Sequence, residues 1–215
     1  MKRILAILVA TLLITAQTVA ASTWSTVVDL LALSTVQLAN WNGERFCSGF
    51  VIDNDRDYVL TALHCVDSQW ALKGGIYIDT LPTEVVAREP TLDVAILKVA
   101  GINRPALQPN VNGIQVGDEV GAYGFGYGFP KAQFRAGVIS AVVVNLSGYV
   151  DDPYLTAYPT SVWFVTDQPY IGGMSGGPIV DRSGKVVGIV QWSNDYMSMQ
   201  KSMQEIYAQT KAFWR

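Results

Sequence analysis

Histidine and cysteine are scarce in this chain of 215 residues, which has one histidine and two cysteines. Structural zinc sites use four such ligands, and catalytic zinc sites use three together with a water molecule. His64, Cys47 and Cys65 are the whole supply, so an ordinary zinc site is not expected. The glycine-rich segment Gly121–Gly128 lacks the Lys-Ser/Thr pair of a phosphate-binding loop, and we therefore expect neither a metal nor a cofactor.

Long apolar runs are also lacking. The longest, Ile4–Ala16, has about 13 residues, whereas a helix that spans a membrane needs roughly 20. It follows the charged Met1–Arg3 and precedes the small residues Thr18–Ala21, which is the pattern of an export signal. We predict a signal peptide at residues 1–21 and a mature domain at residues 22–215, with no stable membrane insertion after cleavage. A retained membrane anchor is the alternative.

Positive charge is not in excess, because 15 basic residues stand against 18 acidic ones and the formal net charge is −3. Loss of Lys2 and Arg3 with the signal would make the protein more acidic, so nucleic-acid binding is not expected. In an exported protein, Cys47 and Cys65 are more typical of a disulfide than of two free thiols. The remaining length suits one large domain or two small ones that share an interface.

Short runs rich in valine, isoleucine and aromatic residues recur between turn signals, which favours an antiparallel all-β fold. Helical spacing occurs only near the ends, at Trp24–Leu33 and Met197–Phe213. Pro105–Asn112 is the candidate linker between two halves. We place the N-terminal half at about residues 34–104, the C-terminal half at about 113–195 and a closing helix at about 197–213. The predicted strands are Thr35–Leu38, Gly49–Ile52, Tyr58–Ala62, Ile76–Ile78, Val94–Val99, Val138–Val144, Val162–Val165 and Val186–Trp192.

Ser175 is the candidate nucleophile, because it lies in a run of glycines just before an apolar strand. Glycine permits tight turns and close approach of the backbone. Such a turn exposes a serine hydroxyl and directs nearby N–H groups at a developing oxyanion, for which we expect the amides of Gly173 and Ser175. A glycine-rich turn with an incidental serine is the alternative.

His64 lies in the segment Thr61–Cys65, directly after the apolar run Tyr58–Leu60. It is the sole candidate for a general base. Asp93 opens a buried strand, where a carboxylate is suited to orient an imidazole. Asp67 and Asp79 are rivals by position, and a local capping role is the alternative for Asp93.

Gly173–Gly177 also matches the nucleophile elbow of α/β-hydrolases, which would indicate a lipase or esterase. In that fold the histidine follows the serine along the chain, whereas His64 precedes Ser175. The alternation of helices and strands is missing as well. We therefore set the α/β-hydrolase interpretation aside.

Three motifs together resemble the trypsin- and chymotrypsin-like serine proteases. They are Thr61-Ala-Leu-His64-Cys65, Asp93-Val-Ala-Ile96 and Gly173-Met-Ser175-Gly-Gly-Pro178, in the family's order. Cys47–Ile52 and Gly188–Trp192 look like the family's cysteine-containing strand and its substrate-binding strand. With Gly121–Gly128, the likeness is greatest to exported bacterial members and covers most of the chain from Thr35 to Trp192.

The resemblance implies two antiparallel six-stranded β-barrels of chymotrypsin type, a catalytic site where they meet and a Cys47–Cys65 bridge beside the histidine. It also implies that Gln191, Trp192 and Ser193 bind an extended peptide as an added strand. A core-filling role is the alternative for Trp192.

The chain departs from the digestive members of this family at the specificity pocket. Pro169 stands where tryptic enzymes carry an acid, so cleavage after basic residues is not supported, although Asp167 is close in sequence. Ser193 replaces a common glycine of the pocket wall. We expect a modest pocket for small or medium apolar side chains, and no room for a PDZ tail after the closing helix.

Taken together, these residues predict an exported monomeric serine endopeptidase that acts on polypeptides in the periplasm or outside the cell. His64, Asp93 and Ser175 would form the triad. The alternatives are an inactive binding protein that keeps the same fold, and an esterase.

Overall fold

The computed structural model describes residues 23–72, 74–144 and 162–215, and the predicted signal peptide lies outside them. Strands dominate, and they form two antiparallel seven-stranded sheets, each of them curled into a half-barrel. The prediction of an all-β fold with two antiparallel halves is confirmed. Each half has one strand more than the six expected.

Seven strands form the N-terminal sheet, in the order β5-β4-β1-β2-β3-β7-β6. It follows helix α1, which covers Trp24–Ser34 and is one residue longer than predicted. Its inward side chains, such as Leu38, Phe50, Leu60 and Ile96, are buried because alternate residues of a strand face the same side. The strands are β1 Thr35–Ala39, β2 Arg45–Asp53, β3 Tyr58–Ala62, β4 Tyr77–Ile78, β5 Leu81–Pro82, β6 Glu84–Glu89 and β7 Val94–Lys98.

Between these strands lie two short helices, α2 Leu63–Val66 and α3 Gln69–Leu72, and a 3-10 turn at Pro90–Leu92. The candidate linker then joins the halves. The Leu107 N–H donates to the Val51 carbonyl of the N-terminal sheet, and the Asn110 N–H donates to the Val186 carbonyl of the other sheet.

The C-terminal sheet has the order β12-β11-β8-β9-β10-β14-β13. Its core includes Val120, Ile139, Phe164 and Ile179. A 3-10 turn at Gly126–Gly128 follows the first of its strands. They are β8 Glu119–Gly124, β9 Gln133–Val144, β10 Val162–Thr166, β11 Pro178–Val180, β12 Val186–Ile189, β13 Trp192–Ser193 and β14 Ser198–Lys201.

The closing helix α4 is shorter than predicted, because it covers Met203–Thr210 and continues as a 3-10 turn at Lys211–Phe213. The expectation that it begins at Met197 is wrong. Ser198–Lys201 instead forms β14, which pairs with β10 and β13, so the C-terminal sheet extends past the boundary predicted near residue 195. The Ser202 side chain accepts from the Gln204 N–H, and this cap fixes the true start of the helix.

Helix α4 joins the two halves. Met203, Ile206 and Trp214 are buried in the same cluster as the N-terminal core, and the Trp214 ring lies 6.4 Å from that of Phe50. Helix α4 and the residues after it therefore hold the N-terminal sheet against the C-terminal sheet. No helix among the described residues is both long enough and apolar enough to cross a membrane.

Candidate active site

The pairing of β3 with β7 brings His64 and Asp93 together. The register pairs Ala62, the last residue of β3, with Val94, the first residue of β7. Residues just past these two strand ends must therefore be neighbours, and the Leu63 N–H donates to the Asp93 carbonyl at 3.0 Å. Asp93 has a left-handed backbone with φ 53°, a region that aspartate enters more readily than most residues.

Two contacts join His64 to the Asp93 carboxylate. His64 Nδ1 lies 2.7 Å from Asp93 Oδ2, and the His64 backbone N–H donates to Asp93 Oδ1 at 2.8 Å. An ionised carboxylate only accepts hydrogen bonds, so Nδ1 carries the ring proton. That leaves Nε2 of the neutral ring with a lone pair. The carboxylate is buried, whereas the imidazole is 37% exposed and can meet a substrate.

The two rival aspartates do not reach the histidine in this way. Asp67 lies 3.6 Å from Arg88, and Asp79 pairs with Arg104 at 2.6 Å. Both carboxylates are about half exposed, at 55% and 47% of the side chain. Surface pairs of this kind stabilise a fold only weakly.

Ser175 lies in a turn between two glycines that cannot be replaced by residues with a side chain. Gly173 and Gly176 have φ values of 94° and 81°, where side chains are strained. A Cβ at Gly176 would also lie 2.3 Å from the Ser48 carbonyl oxygen, and one at Gly173 would lie 2.5 Å from the Phe125 carbonyl oxygen. The turn therefore presses against the N-terminal sheet on one side and the loop after β8 on the other.

Ser48 of β2 is a residue whose role the sequence did not reveal. Its N–H donates to the Ser175 carbonyl at 2.8 Å, and its hydroxyl donates to the Gly173 carbonyl at 2.8 Å. The same hydroxyl accepts from the Phe125 N–H at 2.8 Å. One side chain thus fixes the serine turn from the opposite half of the molecule.

Substitution of Ser48 by alanine is expected to lower the free energy of unfolding by about 1 to 3 kcal/mol, because two partly buried backbone groups lose their partner. The turn would also lose its support, so labelling of Ser175 by a fluorophosphonate should slow roughly tenfold. Denaturant unfolding and labelling rates measure both effects. Ser140→Ala, which removes one bond to the Val165 carbonyl, is the matched control and should leave the labelling rate unchanged.

One of the two amides proposed for the oxyanion, that of Gly173, has a fixed orientation. The Gly172 carbonyl accepts from the Tyr127 N–H at 2.6 Å. In a trans peptide this carbonyl and the Gly173 N–H point in opposite directions, so the bond also sets the direction of that N–H. Within the described ranges, neither the Gly173 nor the Ser175 N–H donates to a protein acceptor. Both are therefore free to donate to a substrate oxygen.

The disulfide between Cys47 and Cys65 lies beside the histidine, as the family resemblance implied. The two sulfurs and a ring nitrogen of His64 are within 4.8 Å of one another. Because both sulfurs are bonded to each other, they are not thiolates that could hold a metal. The Cys65 sulfur also lies 3.7 Å from the Ser175 carbonyl oxygen, so the bridge connects the histidine helix with the serine turn.

A cavity of about 220 Å³ opens next to Ser175, and the predicted substrate-binding residues divide around it. Trp192 and Ser193 line it as β13, a strand at the edge of the C-terminal sheet. Pro169 is not among the residues that line it, and its carbonyl accepts from the Arg135 side chain at 3.1 Å. The lining comprises Tyr170, Ile171, Gly172, Ser175, Val190, Gln191, Trp192 and Ser193.

Tyr170, the residue after Pro169, lines the cavity. Its backbone N–H donates to the hydroxyls of Ser193 and Ser198, at 2.8 Å and 2.9 Å. Burial raises the pKa of the Tyr170 phenol, which stays protonated. Gln191 also lines the cavity, while its side chain is buried and donates to the Leu92 and Asp93 carbonyls.

Two curled antiparallel sheets, with a paired histidine and aspartate and a serine turn where they meet, define a protein with the chymotrypsin-like fold. A trypsin-like peptidase domain matches residues 47–189. The chain therefore belongs to the trypsin-like peptidase family.

Among curated proteins, the chain is 33% identical over 144 residues to a probable periplasmic serine endoprotease, DegP-like, of Pseudomonas putida. A protein of the same description from Halomonas elongata is 31% identical over 144 residues. Both matches cover 66% of this chain but only 28% of the relative, so the chain corresponds to less than a third of those proteins.

Solved structures agree on the fold. The active form of a Mycobacterium tuberculosis protease matches with a TM-score of 0.68 and 22% identity, over 89% of this chain and 87% of that one. A serine endoprotease from Yersinia pestis matches with a TM-score of 0.67 and 22% identity, over 89% of this chain and 66% of that one. At these identities the likeness establishes the fold alone.

Proposed function

We propose that this protein is an exported serine endopeptidase that hydrolyses polypeptides through an acyl-enzyme. The observation that carries the proposal is the 2.7 Å contact of His64 Nδ1 with the buried Asp93 carboxylate, beside a glycine-framed serine. The family and the names of the curated relatives support the activity, and the word periplasmic in those names supports export to the periplasm or beyond.

In the first step His64 Nε2 takes the proton of the Ser175 hydroxyl while Oγ attacks the scissile carbonyl carbon. The carbonyl oxygen becomes an oxyanion that accepts from the Gly173 and Ser175 N–H groups. Asp93 keeps the ring oriented and stabilises its positive charge. The imidazolium then gives its proton to the leaving amine, and the peptide bond breaks to leave an acyl-enzyme.

Hydrolysis of the acyl-enzyme repeats these proton transfers with water. His64 takes a proton from the water molecule, the hydroxide adds to the acyl carbon, and the proton returns to Ser175 Oγ as the bond to serine breaks. The free acid leaves and the enzyme is restored.

For the substrate we propose an extended polypeptide that pairs with the edge strand β13. Such pairing supplies main-chain hydrogen bonds, while one side chain enters the cavity beside Ser175. The cavity of about 220 Å³ suits a small or medium apolar side chain. We further propose that the protein acts as a monomer.

Mapping of a covalent label tests this function on the unsubstituted protein. A fluorophosphonate should react with the folded chain and, after digestion and mass spectrometry, be found on Ser175, because only an activated hydroxyl attacks phosphorus readily. Ser183, which lies exposed in a turn, serves as the internal control and should carry no label. Absence of label from Ser175 would contradict the proposal.

Turnover of matched substrates separates the remaining alternatives. An endopeptidase cleaves a reduced and alkylated protein and a peptide amide, whereas an esterase turns over only the corresponding ester. An inactive binding protein would turn over neither. Cleavage of the denatured protein at internal bonds is the expected result.

A further inference from the structure

Lys201 is a fully buried lysine in β14 that the proposed chemistry does not use. Its Nζ lies 3.3 Å from the Thr91 carbonyl oxygen, to which it donates, and 4.2 Å from the centre of the Trp163 ring. Burial of an ammonium group is costly, even where a carbonyl and an aromatic face partly compensate it. A lysine retained in such a position therefore calls for a physical explanation.

Two carboxylates act on this ammonium group within the described residues, Glu205 from helix α4 and Asp93 from the turn before β7. Burial lowers the pKa of Lys201 to about 8, against the opposing influence of these two acids. The group is therefore a cation across the neutral and acidic range. Strand β10 contributes the ring of Trp163 and the segment before β13 contributes Gln191, both of which are neutral.

The same strand holds the backbone of the turn that carries Asp93. Gln191 Oε1 accepts from the Lys201 N–H at 2.9 Å, and Gln191 Nε2 donates to the Leu92 carbonyl at 2.6 Å and to the Asp93 carbonyl at 3.3 Å. With the bond from Lys201 Nζ to Thr91, three successive carbonyls of the turn before β7 are held by two side chains of the C-terminal half.

We propose that Lys201 is a positioning residue for the His64–Asp93 pair: it anchors the turn that carries Asp93, and its positive charge opposes protonation of His64. A cation near the carboxylate offsets part of the negative charge that would otherwise favour the imidazolium. The inference rests on the proposed function of that pair.

Because His64 is the single histidine of the chain, its protonation can be followed directly by NMR in the Ser175→Ala background, without any turnover. Lys201→Met should move the midpoint of the His64 titration to higher pH by roughly half a unit or more. Lys201→Arg, which keeps the charge, should leave the midpoint within about 0.2 units of the reference. Lys98→Met, which removes an exposed lysine of β7, is the matched control and should also leave it in place.

A second measurement needs no substitution at Lys201. In the reference chain, the imidazole resonance should show a further small inflection at roughly pH 8, as Lys201 loses its proton. An unshifted midpoint in Lys201→Met would overturn the inference, and so would an equal shift in Lys98→Met. If the methionine variant does not fold, a His64 titration with no inflection between roughly pH 7 and pH 10 would overturn it as well.

The failure of this inference can be distinguished from the failure of the proposed function. A protein that binds no fluorophosphonate at Ser175 would contradict the peptidase activity while leaving the titration of His64 readable. Where the enzyme is active, the acidic limb of kcat/KM should shift upward in Lys201→Met as the NMR midpoint does, with KM unchanged.

Discussion

Replacement of His64 by alanine is expected to lower kcat for a peptide substrate by about six orders of magnitude, the loss that follows when the base of such a serine–histidine unit is removed. The chain has no second histidine that could take over the proton. The residual rate would come from the oxyanion donors and from binding, which need no base. Initial-rate kinetics at several pH values measure the effect, with active-site titration of the unsubstituted enzyme as the reference.

The fold should tolerate this substitution, because the imidazole is 37% exposed and its backbone N–H still donates to Asp93. An unfolding midpoint close to that of the parent protein would separate loss of the base from loss of structure. The acidic limb of the parent pH profile should reflect one proton and be absent from the residual rate. A variant that keeps activity within tenfold of the parent would show that another group is the base.

The sequence indicated the two residues of this pair because each lies at the end of an apolar strand. Only the pairing of β3 with β7 made them neighbours, and that register depends on contacts across the whole sheet. The preference for Asp93 over Asp67 and Asp79 followed from the buried strand behind it. This reasoning is physical, since an acid that starts such a strand is held against the core.

Ser48 could not be found in this way, because Phe125, Gly173 and Ser175, to which it bonds at the serine turn, lie about 80 to 130 residues further along the chain and leave no local signal. Lys201 was equally hidden: a lysine within an amphipathic pattern is expected to face solvent, yet β14 directs it inward. The start of α4 was predictable. Ser202 and Glu205 have the spacing of a capping box, which marks the first turn of a helix.

The binding residues were the least predictable part of the site. Gln191 was expected to pair with a peptide through its backbone, and that expectation says nothing about where its side chain lies. In the folded protein it lies behind Asp93 and bonds to the backbone on both sides of the junction. Trp192, the next residue, lines the cavity and also packs against the buried cluster of Trp163, Val165 and Met199.

Substitution of Asp93 by asparagine is expected to lower kcat by about 10⁴-fold with the fold intact. The asparagine oxygen can still accept from the His64 backbone N–H, and asparagine also tolerates the left-handed backbone at this position. Its NH₂ group would then face Nδ1, so the ring must place its own proton on Nε2. A protonated Nε2 is unable to accept the proton of Ser175, and the base is lost although every heavy atom is in place.

Kinetics with a peptide amide, together with a thermal unfolding curve, measure this effect. Asp67→Asn is the matched control, because Asp67 is 55% exposed and its pairing with Arg88 contributes little to stability. Its kcat should stay within about twofold of the parent. A loss of less than tenfold in Asp93→Asn, or an equal loss in Asp67→Asn, would mean that Asp93 only shapes the turn. The expected difference between the two variants would instead assign the orienting role to the one carboxylate that is both buried and bonded to the imidazole.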